Sequence, residues 1–213
     1  QGWRMEIKQL PELTKVGAWR VPRTGLWWER DRPQEGEAAT YGGFYTQQEL
    51  KDLIAYASAR FVDILPEVDV PGHSLAAIAA YPYLSSTGLN YKVNPGSKFY
   101  TIDDNALCVG KESTFEFLDK VFTEVAQVFP FEYIHIGGDE CFKGFWEKCA
   151  DCQKRMKDND LKNTDELQSY FIKRLEKMLE QKGKKLMGWD EILEGGLAPK
   201  ASVMSWRGMD GGI

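Results

Sequence analysis

Histidine and cysteine, the side chains that most often bind transition metals, are scarce in this sequence. Its two histidines are His73 and His135, and its four cysteines include a single CxxC pair, Cys149 and Cys152. Metal or redox chemistry at such a pair normally uses a second CxxC or paired histidines. We therefore expect no metal and no other cofactor, and we expect the cysteines to be a structural disulfide or free buried thiols, with a zinc site as the less favoured alternative.

Positive charge and long apolar runs are also in short supply. The formal net charge is −5 and the isoelectric point is near 5.2, which excludes the basic footprint of a nucleic-acid-binding protein. No run of about 20 apolar residues exists, so no membrane span is expected. With 213 residues and 43% hydrophobic residues, the chain can form one sizeable core. It begins at Gln1 without a methionine or a signal peptide, so we expect it to be a segment of a longer protein.

Periodic apolar residues and capping signals predict alternating helices and strands. Two S/T-x-x-E capping boxes, Thr46–Glu49 and Ser113–Glu116, predict helix starts, and Gly183 predicts a helix end. Helices are expected from Thr46 to Arg60, Ser113 to Pro130, Phe145 to about Met156, and Thr164 to Lys182. Strands are expected at 61–65, 131–136, 185–188 and 201–204. Between Val21 and Tyr45 we expect a long loop, whose Trp27-Trp28 pair is either a lid or core packing.

The unusual residues cluster directly after the predicted strands. Glu67, Asp69 and His73 follow the first strand, and acids or tryptophans follow each of the next three: Asp139, Glu140, Trp189, Asp190, Glu191, Trp206. Functional residues at the carboxyl ends of successive strands are typical of a (β/α)₈ TIM barrel. A doubly wound sheet is less favoured because no G-x-G-x-x-G turn is present. We predict an α/β fold that is an incomplete central segment of such a barrel, because four strands are visible instead of eight.

The stretch His135-Ile-Gly-Gly-Asp-Glu140 is the clearest candidate site. Its glycines permit a close approach of the backbone to a ligand. Its adjacent carboxylates repel each other, so one is expected to retain a proton and to deliver it to a substrate. The seven tryptophans include several beside acids and glycines. An aromatic face beside carboxylates suits a sugar, whose C–H face stacks while its hydroxyls form hydrogen bonds.

Four blocks in this order resemble glycoside hydrolase family 20, the β-N-acetylhexosaminidases. They are Gln1-Gly-Trp-Arg4 with Ala18-Trp-Arg20, Leu65-Pro-Glu-Val-Asp-Val-Pro-Gly-His-Ser74, His135-Ile-Gly-Gly-Asp-Glu140, and Gly188-Trp-Asp-Glu191 with Met204-Ser-Trp-Arg207. They span nearly the whole chain. The resemblance implies that residues 1–213 are part of one catalytic barrel, whose first and last strands are missing and would come from the rest of the full-length protein.

The resemblance also implies roles for individual residues. Glu140 corresponds to the general acid/base, and Asp139 corresponds to the residue that orients the substrate's 2-acetamido group and stabilises an oxazolinium ion. Trp189 and Trp206 correspond to the walls of the acetamide pocket. His73 corresponds to a supporting residue that tunes the acid, and Asp69 is a further candidate for that network.

Each residue also has a structural alternative. His73 could cap a helix that begins near Ser74, and Trp189 and Trp206 could be barrel packing. Glu67 could simply brace its loop. Charges at a helix N-terminus would account for Asp190 and Glu191, and burial with hydrogen bonding is the favoured role for His135.

The implied activity is removal of terminal non-reducing N-acetyl-β-D-hexosamine (GlcNAc or GalNAc) from glycans or chito-oligosaccharides by a retaining, substrate-assisted mechanism. The implied location is periplasmic, cell-surface or secreted. Disaccharide release of the lacto-N-biosidase type and a non-catalytic glycan-binding barrel are the alternatives. A diguanylate cyclase, whose signature begins with Gly-Gly-Asp-Glu, is disfavoured because Cys141 follows instead of Phe.

Overall fold

The computed structural model describes residues 2–98, 102–209 and 211. Seven helices lie in these ranges: α1 Glu12–Lys15, α2 Gln47–Ser58, α3 Leu75–Ala80, α4 Glu112–Val128, α5 Gly144–Lys148, α6 Ala150–Asp158 and α7 Thr164–Gln181. Five strands accompany them: β1 Trp19–Arg20, β2 Tyr41–Gly42, β3 Tyr133–His135, β4 Lys185–Trp189 and β5 Ser202–Met204. Short 3₁₀ turns occupy Pro82–Leu84 and Asp190–Leu193. None of the described helices is both long and apolar enough to cross a membrane.

The central sheet is parallel, and its strands are neighbours in chain order. β3 pairs with β4 through Ile134 and Leu186, and β4 pairs with β5 through Gly188 and Val203. A parallel bridge between Glu67 and His135 adds residues 66–70 beside β3. A doubly wound sheet reverses its strand order at a switch point, whereas a barrel adds successive strands on the same side. The order seen here is that of a barrel wall, and the strands of the described residues do not close into a barrel.

Two long amphipathic helices cover this wall. α4 connects residues 66–70 to β3, and α7 connects β3 to β4. Their apolar stripes are fully buried, and Phe115 of α4 packs against Phe171 of α7 with ring centroids 5.7 Å apart. The buried stripes comprise Phe115, Leu118, Val121, Phe122 and Val125 on α4, and Leu167, Phe171, Leu175 and Leu179 on α7. Helical crossovers of this kind join parallel neighbours, and they place every following loop at the same rim.

The predicted strand at 61–65 is wrong. Phe61 is fully exposed and has a left-handed φ of 60°, and Val62 is also exposed. Pairing begins at Pro66, whose carbonyl accepts a hydrogen bond from the His135 N–H, and it continues through Val68 and Val70. Pro66, Val68 and Val70 are the buried residues of this stretch. The apolar run lies in the turn after α2, and alternating residues just beyond it enter the sheet.

The helix signals were partly correct. Thr46 and Glu49 form the predicted capping box at α2, and Gly183 follows α7 with a left-handed φ of 70°. The second capping box is wrong, because α4 begins at Glu112, so Ser113 lies inside its first turn and the N-cap residue Lys111 makes no side-chain cap. The expected helix over 145–156 is two helices, because Cys149 has an extended backbone between α5 and α6.

The remaining expectations concern the cysteines and the long loop. All four cysteines are free thiols, so of the two alternatives the disulfide is absent. The segment from 21 to 45 contains only β2 as regular structure. Within it Trp27 and Trp28 are half exposed and contact each other edge to face. Neither ring is packed into the core of the described residues.

Candidate active site

Two glycines let the loop after β3 pass close to its neighbours. Gly137 and Gly138 have φ values of 68° and 93°, in the region that side chains disfavour. A Cβ on Gly137 would lie 1.9 Å from Asp69 Oδ1, and one on Gly138 would lie 2.5 Å from a methyl group of Ile192. Gln168 of α7 donates to the Gly138 carbonyl at 2.7 Å and fixes the loop from behind. The double glycine therefore brings the two following carboxylates against the loop that carries Asp69.

One imidazole nitrogen faces both of these carboxylates. His73 Nε2 lies 3.5 Å from Asp139 Oδ2 and 3.4 Å from Glu140 Oε2. His73 and Glu140 both have left-handed backbones, with φ values of 49° and 45°. Such conformations cost free energy in residues other than glycine, and they concentrate at functional sites. His73 is not a side-chain cap, because the residue before α3 is Ser74 and the Leu75 N–H at the start of α3 donates to Asn105 Oδ1.

Asp69, in the stretch 66–70 beside β3, is the fourth member of a cluster with His73, Asp139 and Glu140. Burial raises the pKa of Asp69 to about 8, with the negative charges of Asp139 and Glu67 adding to the rise and His73 opposing it. Asp69 Oδ1 and Asp139 Oδ1 are both buried and lack a donor among the described residues, yet the two carboxyls are in hydrogen-bond contact. A proton held by Asp69 satisfies both oxygens at once. The raised pKa of Asp69 and its contact with Asp139 therefore favour a protonated Asp69 that donates to Asp139 at neutral pH.

The charges of Asp139 and His73 follow from this arrangement. Burial alone would raise the pKa of Asp139, but hydrogen bonds from His73 and from its own backbone N–H outweigh that effect, so the pKa lies below its usual value. The hydrogen bond to Asp139 raises the pKa of His73 against its burial, helped by the charges of Asp69, Asp139 and Glu140. An ionised Asp139 therefore faces an imidazole that holds its proton more tightly than a free one.

Glu67, in the stretch 66–70 that pairs with β3, contacts Trp189 at the end of β4. The Trp189 indole N–H donates to Glu67 Oε1 at 3.0 Å, and His135 Nδ1 lies 3.2 Å from the same oxygen. His135 is buried, its Nδ1 accepts from the Gly137 N–H, and its ring meets Trp189 edge to face at 4.6 Å. The expected structural role of His135 is therefore confirmed, and the bracing role of Glu67 extends to an aromatic side chain on the next strand.

A second tryptophan is held in a similar way after β5. Trp206 is half exposed, and its indole N–H donates to Glu191 Oε2 at 2.9 Å. Arg207 Nε lies 3.4 Å from Asp190 Oδ2, and Asp190 and Glu191 are both buried. These acids sit in the first turn of a 3₁₀ helix, as the structural alternative expected, but their side chains engage Trp206 and Arg207. The Trp206 ring is not packed into the core of the described residues.

An open cavity of about 630 Å³ adjoins the cluster. Trp27, His73 and Glu140 line it together with residues of the 94–98 turn and with Asn105. Its volume is in the range of small-molecule sites. The sequence analysis considered Trp27 as a possible lid but did not identify the 94–98 turn. The turn-forming stretch Asn94-Pro95-Gly96 could have indicated it. The side chain of Glu140 is half exposed, so the carboxyl is accessible from this cavity.

Asp69, His73 and Asp139 have the spacing of a possible cation site. One donor atom each from Asp69, His73 and Asp139 lies within 4.8 Å of the others. A protonated Asp69 is a poor ligand, because carboxylates bind metals in their ionised form. The cluster therefore fits a hydrogen-bonded network better than a metal centre.

Comparison with known proteins identifies the family. Residues 1–212 match the model described as glycosyl hydrolase family 20, catalytic domain. A beta-hexosaminidase of Porphyromonas gingivalis is 51% identical over the whole chain, which covers 25% of that relative. A beta-hexosaminidase of Vibrio furnissii is 38% identical over 97% of the chain, which covers 33% of that relative.

Solved structures give the same result. A GH20 exo beta-N-acetylglucosaminidase from Vibrio harveyi in complex with N-acetylglucosamine superposes with a TM-score of 0.81 and 37% identity, over 99% of this chain and 32% of that chain. A beta-N-acetylhexosaminidase from Bacteroides fragilis gives 0.76 and 37%, over 96% of this chain and 37% of that chain. The chain thus spans a quarter to about a third of the curated relatives named above. It belongs to glycosyl hydrolase family 20 and corresponds to part of the TIM-barrel catalytic domain.

Proposed function

We propose that the protein containing this chain hydrolyses terminal non-reducing N-acetyl-β-D-hexosamine residues, GlcNAc or GalNAc, from glycans. The observation that carries the proposal is the pair of adjacent carboxylates, Asp139 and Glu140, that both lie within 3.5 Å of one His73 nitrogen. The names of the relatives support the substrate class, and the Vibrio harveyi structure contains N-acetylglucosamine. Glycans and chito-oligosaccharides that end in these sugars are the proposed substrates.

The geometry favours a nucleophile that belongs to the substrate. A retaining glycosidase of the ordinary kind places two carboxyls about 5–5.5 Å apart, on opposite faces of the anomeric carbon. Asp139 and Glu140 are consecutive residues, and both face the same imidazole nitrogen. They therefore approach a bound sugar from one side. The acetamido oxygen of the substrate can supply the attack from the other side, which makes the second carboxylate an orienting group.

The two carboxylates have different surroundings that suit different tasks. Asp139 is mostly buried and its pKa is lowered, so it stays ionised and can stabilise the positive charge of an oxazolinium ion. Glu140 is half exposed at the cavity, where it can reach a glycosidic oxygen and, later, a water molecule. We assign Asp139 to acetamide orientation and Glu140 to acid/base catalysis.

The proposed reaction then has two steps. Glu140 gives its proton to the glycosidic oxygen while the acetamido oxygen attacks the anomeric carbon, and the leaving group departs with that proton. Glu140 next removes a proton from water, which attacks the anomeric carbon and opens the oxazolinium ion. Two inversions give net retention. Trp189 and Trp206, which Glu67 and Glu191 hold by their indole N–H groups, are proposed as walls of the acetamide pocket.

The proposal is tested by nitrophenol release from p-nitrophenyl N-acetyl-β-glucosaminide by the full-length protein. Wild type should turn over, and both Asp139→Asn and Glu140→Gln should lose most of kcat. Equal turnover by wild type and Asp139→Asn would refute the role of Asp139. No turnover by wild type, with N-acetylglucosamine bound, would favour a glycan-binding barrel. Release of a disaccharide from an oligosaccharide substrate would instead indicate a lacto-N-biosidase.

The pH dependence of kcat/KM separates the two carboxylates. We predict that the basic limb disappears in Glu140→Gln and persists in Asp139→Asn at a much reduced rate, because Glu140 must be protonated to act as the acid. A basic limb that persists in Glu140→Gln would assign the proton transfer to another group.

A periplasmic, cell-surface or secreted location also stays a prediction, and cell fractionation with an antibody against the protein tests it.

A further inference from the structure

Three buried thiols meet on the far side of the loops that carry the candidate active site. Cys108 Sγ lies 3.6 Å from Cys149 Sγ and 3.7 Å from Cys152 Sγ. All three sulfurs lie within 4.8 Å of one another, and the three side chains are at most 5% exposed. The CxxC pair alone offered two ligands, and Cys108, which lies 41 residues before Cys149, supplies the third.

The spacing of the sulfurs fits a shared metal ion better than a disulfide. A disulfide requires two sulfurs at about 2.05 Å, and it would leave the third thiol unpaired. Zinc binds thiolates at about 2.3 Å, so two sulfurs on neighbouring corners of a tetrahedron lie about 3.8 Å apart. Cys108 has nearly this distance to both partners. One ion can therefore bond to all three sulfurs with little movement of the chain.

The surroundings can also accommodate the charge of a metal–thiolate group. Cys149 is the N-cap residue of α6 and Cys152 lies in its first turn, so the positive end of the helix dipole faces the sulfurs. Arg155, one turn further along, donates to the Gly110 carbonyl at 3.0 Å. The same guanidinium forms an ion pair with Glu112 at 2.5 Å, so the N-terminus of α6 is the main positive partner of the sulfurs.

We propose that Cys108, Cys149 and Cys152 form a structural site for a divalent metal ion of the zinc class. On binding, three S–H bonds break, three metal–sulfur bonds form and three protons pass to water. The fourth position is available to the Ser86 hydroxyl, whose oxygen is buried without a hydrogen-bond partner among the described residues and lies near the Cys108 thiol. The almost complete burial of the thiols indicates a structural ion rather than a catalytic one.

Such an ion would connect the two segments that carry the candidate active site, the turn with His73 and the loop with Asp139 and Glu140. Leu107, next to Cys108, donates its N–H to the Pro71 carbonyl at 2.9 Å, and Asn105 accepts from the Ser74 N–H at 3.0 Å. These bonds hold the turn that contains His73. Cys149 lies on the segment that continues from Glu140 through α5. The metal would therefore fix the His73 turn relative to the carboxylate loop, independently of the reaction that this site performs.

The test is the metal content of the full-length protein, measured by inductively coupled plasma mass spectrometry after purification without chelators. We expect about one zinc per chain that is lost in Cys108→Ser and kept in Cys141→Ser, the matched control outside the three-thiol cluster. Removal of the metal should lower the melting temperature of wild type. Absence of metal, with or without a disulfide among the three cysteines, would overturn the proposal. Metal retained by Cys108→Ser would also overturn it.

A spectroscopic measurement covers the case in which Cys108→Ser does not fold. Wild type refolded with Co²⁺ should show thiolate-to-cobalt charge-transfer absorption and the visible bands of tetrahedral cobalt. Stoichiometric Zn²⁺ should abolish both signals. Wild-type protein that refolds in Co²⁺ without these bands would overturn the site. Because neither readout uses glycoside hydrolysis, failure of the metal proposal and failure of the proposed activity are distinguishable.

Discussion

Asp69 makes the stability of this domain depend on pH in a direction opposite to that of most carboxylates. Its pKa is about 8 in the folded protein, because of burial, and near 3.8 when unfolded. The folded state therefore holds a proton that the unfolded state releases above pH 4. The stabilisation is complete below about pH 4, and it is lost as the pH rises towards 8. We predict that Asp69→Asn removes this loss, because an amide donates to Asp139 at every pH.

The expected size follows from the shift. A difference of about four pKa units corresponds to about 6 kcal/mol if Asp69 alone carried it. Asp139 and His73 share the proton network, so we expect about 2–3 kcal/mol for the single substitution. Because the complete catalytic barrel is larger than this segment, that corresponds to a difference of several °C in melting temperature.

The assay is thermal unfolding of the full-length protein at pH 5 and pH 8.5. Wild type and Asp69→Asn should differ less in melting temperature at pH 5 than at pH 8.5, where the variant should melt several °C higher. Asp52→Asn, on the exposed face of α2, is the matched control and should give the same difference from wild type at both values. An Asp69→Asn difference that does not change with pH would refute the protonated Asp69.

Two further substitutions test the contacts around the site. Gly137→Ala would force a left-handed alanine and bring its methyl group to 1.9 Å from Asp69 Oδ1, so the protein should lose at least about 2 kcal/mol in unfolding experiments. Gly43→Ala, whose methyl group meets no atom within 4 Å, should be nearly neutral, and equal losses would contradict this reasoning. Glu67→Ala should raise KM about 5-fold with little change in kcat, because Trp189 loses a partly exposed hydrogen bond. Glu67→Gln keeps an acceptor for the indole, and a KM as high as that of the alanine variant would refute this role.

The sequence predicted the helices and the position of the site better than the strand boundaries. α2 and α7 have strong local signals, since capping residues and apolar spacing act within one or two turns. The strand at 61–65 failed because hydrophobicity alone does not distinguish a turn that follows a helix from a short buried strand. The pairing of Val68 and Val70 with residues 135–136 depends on tertiary contacts that local propensity does not encode.

In the candidate active site too, the sequence did not predict properties of single residues that depend on tertiary contacts. Adjacency of Asp139 and Glu140 is visible in the sequence, and the family motif brought His73 and Asp69 to attention. The protonation of Asp69 was not predictable, because it follows from burial above Gly137 and from contact with a residue 70 positions away. The third thiol, Cys108, was missed for a similar reason, since nothing in its local sequence relates it to the CxxC pair.

At His73 and Glu140 the left-handed backbone lowers the stability of the protein, while the side chain is needed for the proposed activity. A glycine at either position would relieve about 1–2 kcal/mol of conformational strain. The same change would remove the imidazole or the carboxyl on which the proposed chemistry depends. Random selection for heat resistance would therefore favour inactive variants here. Engineering a more robust enzyme should leave both turns unchanged and seek its gains on the exposed faces of α2 and α6.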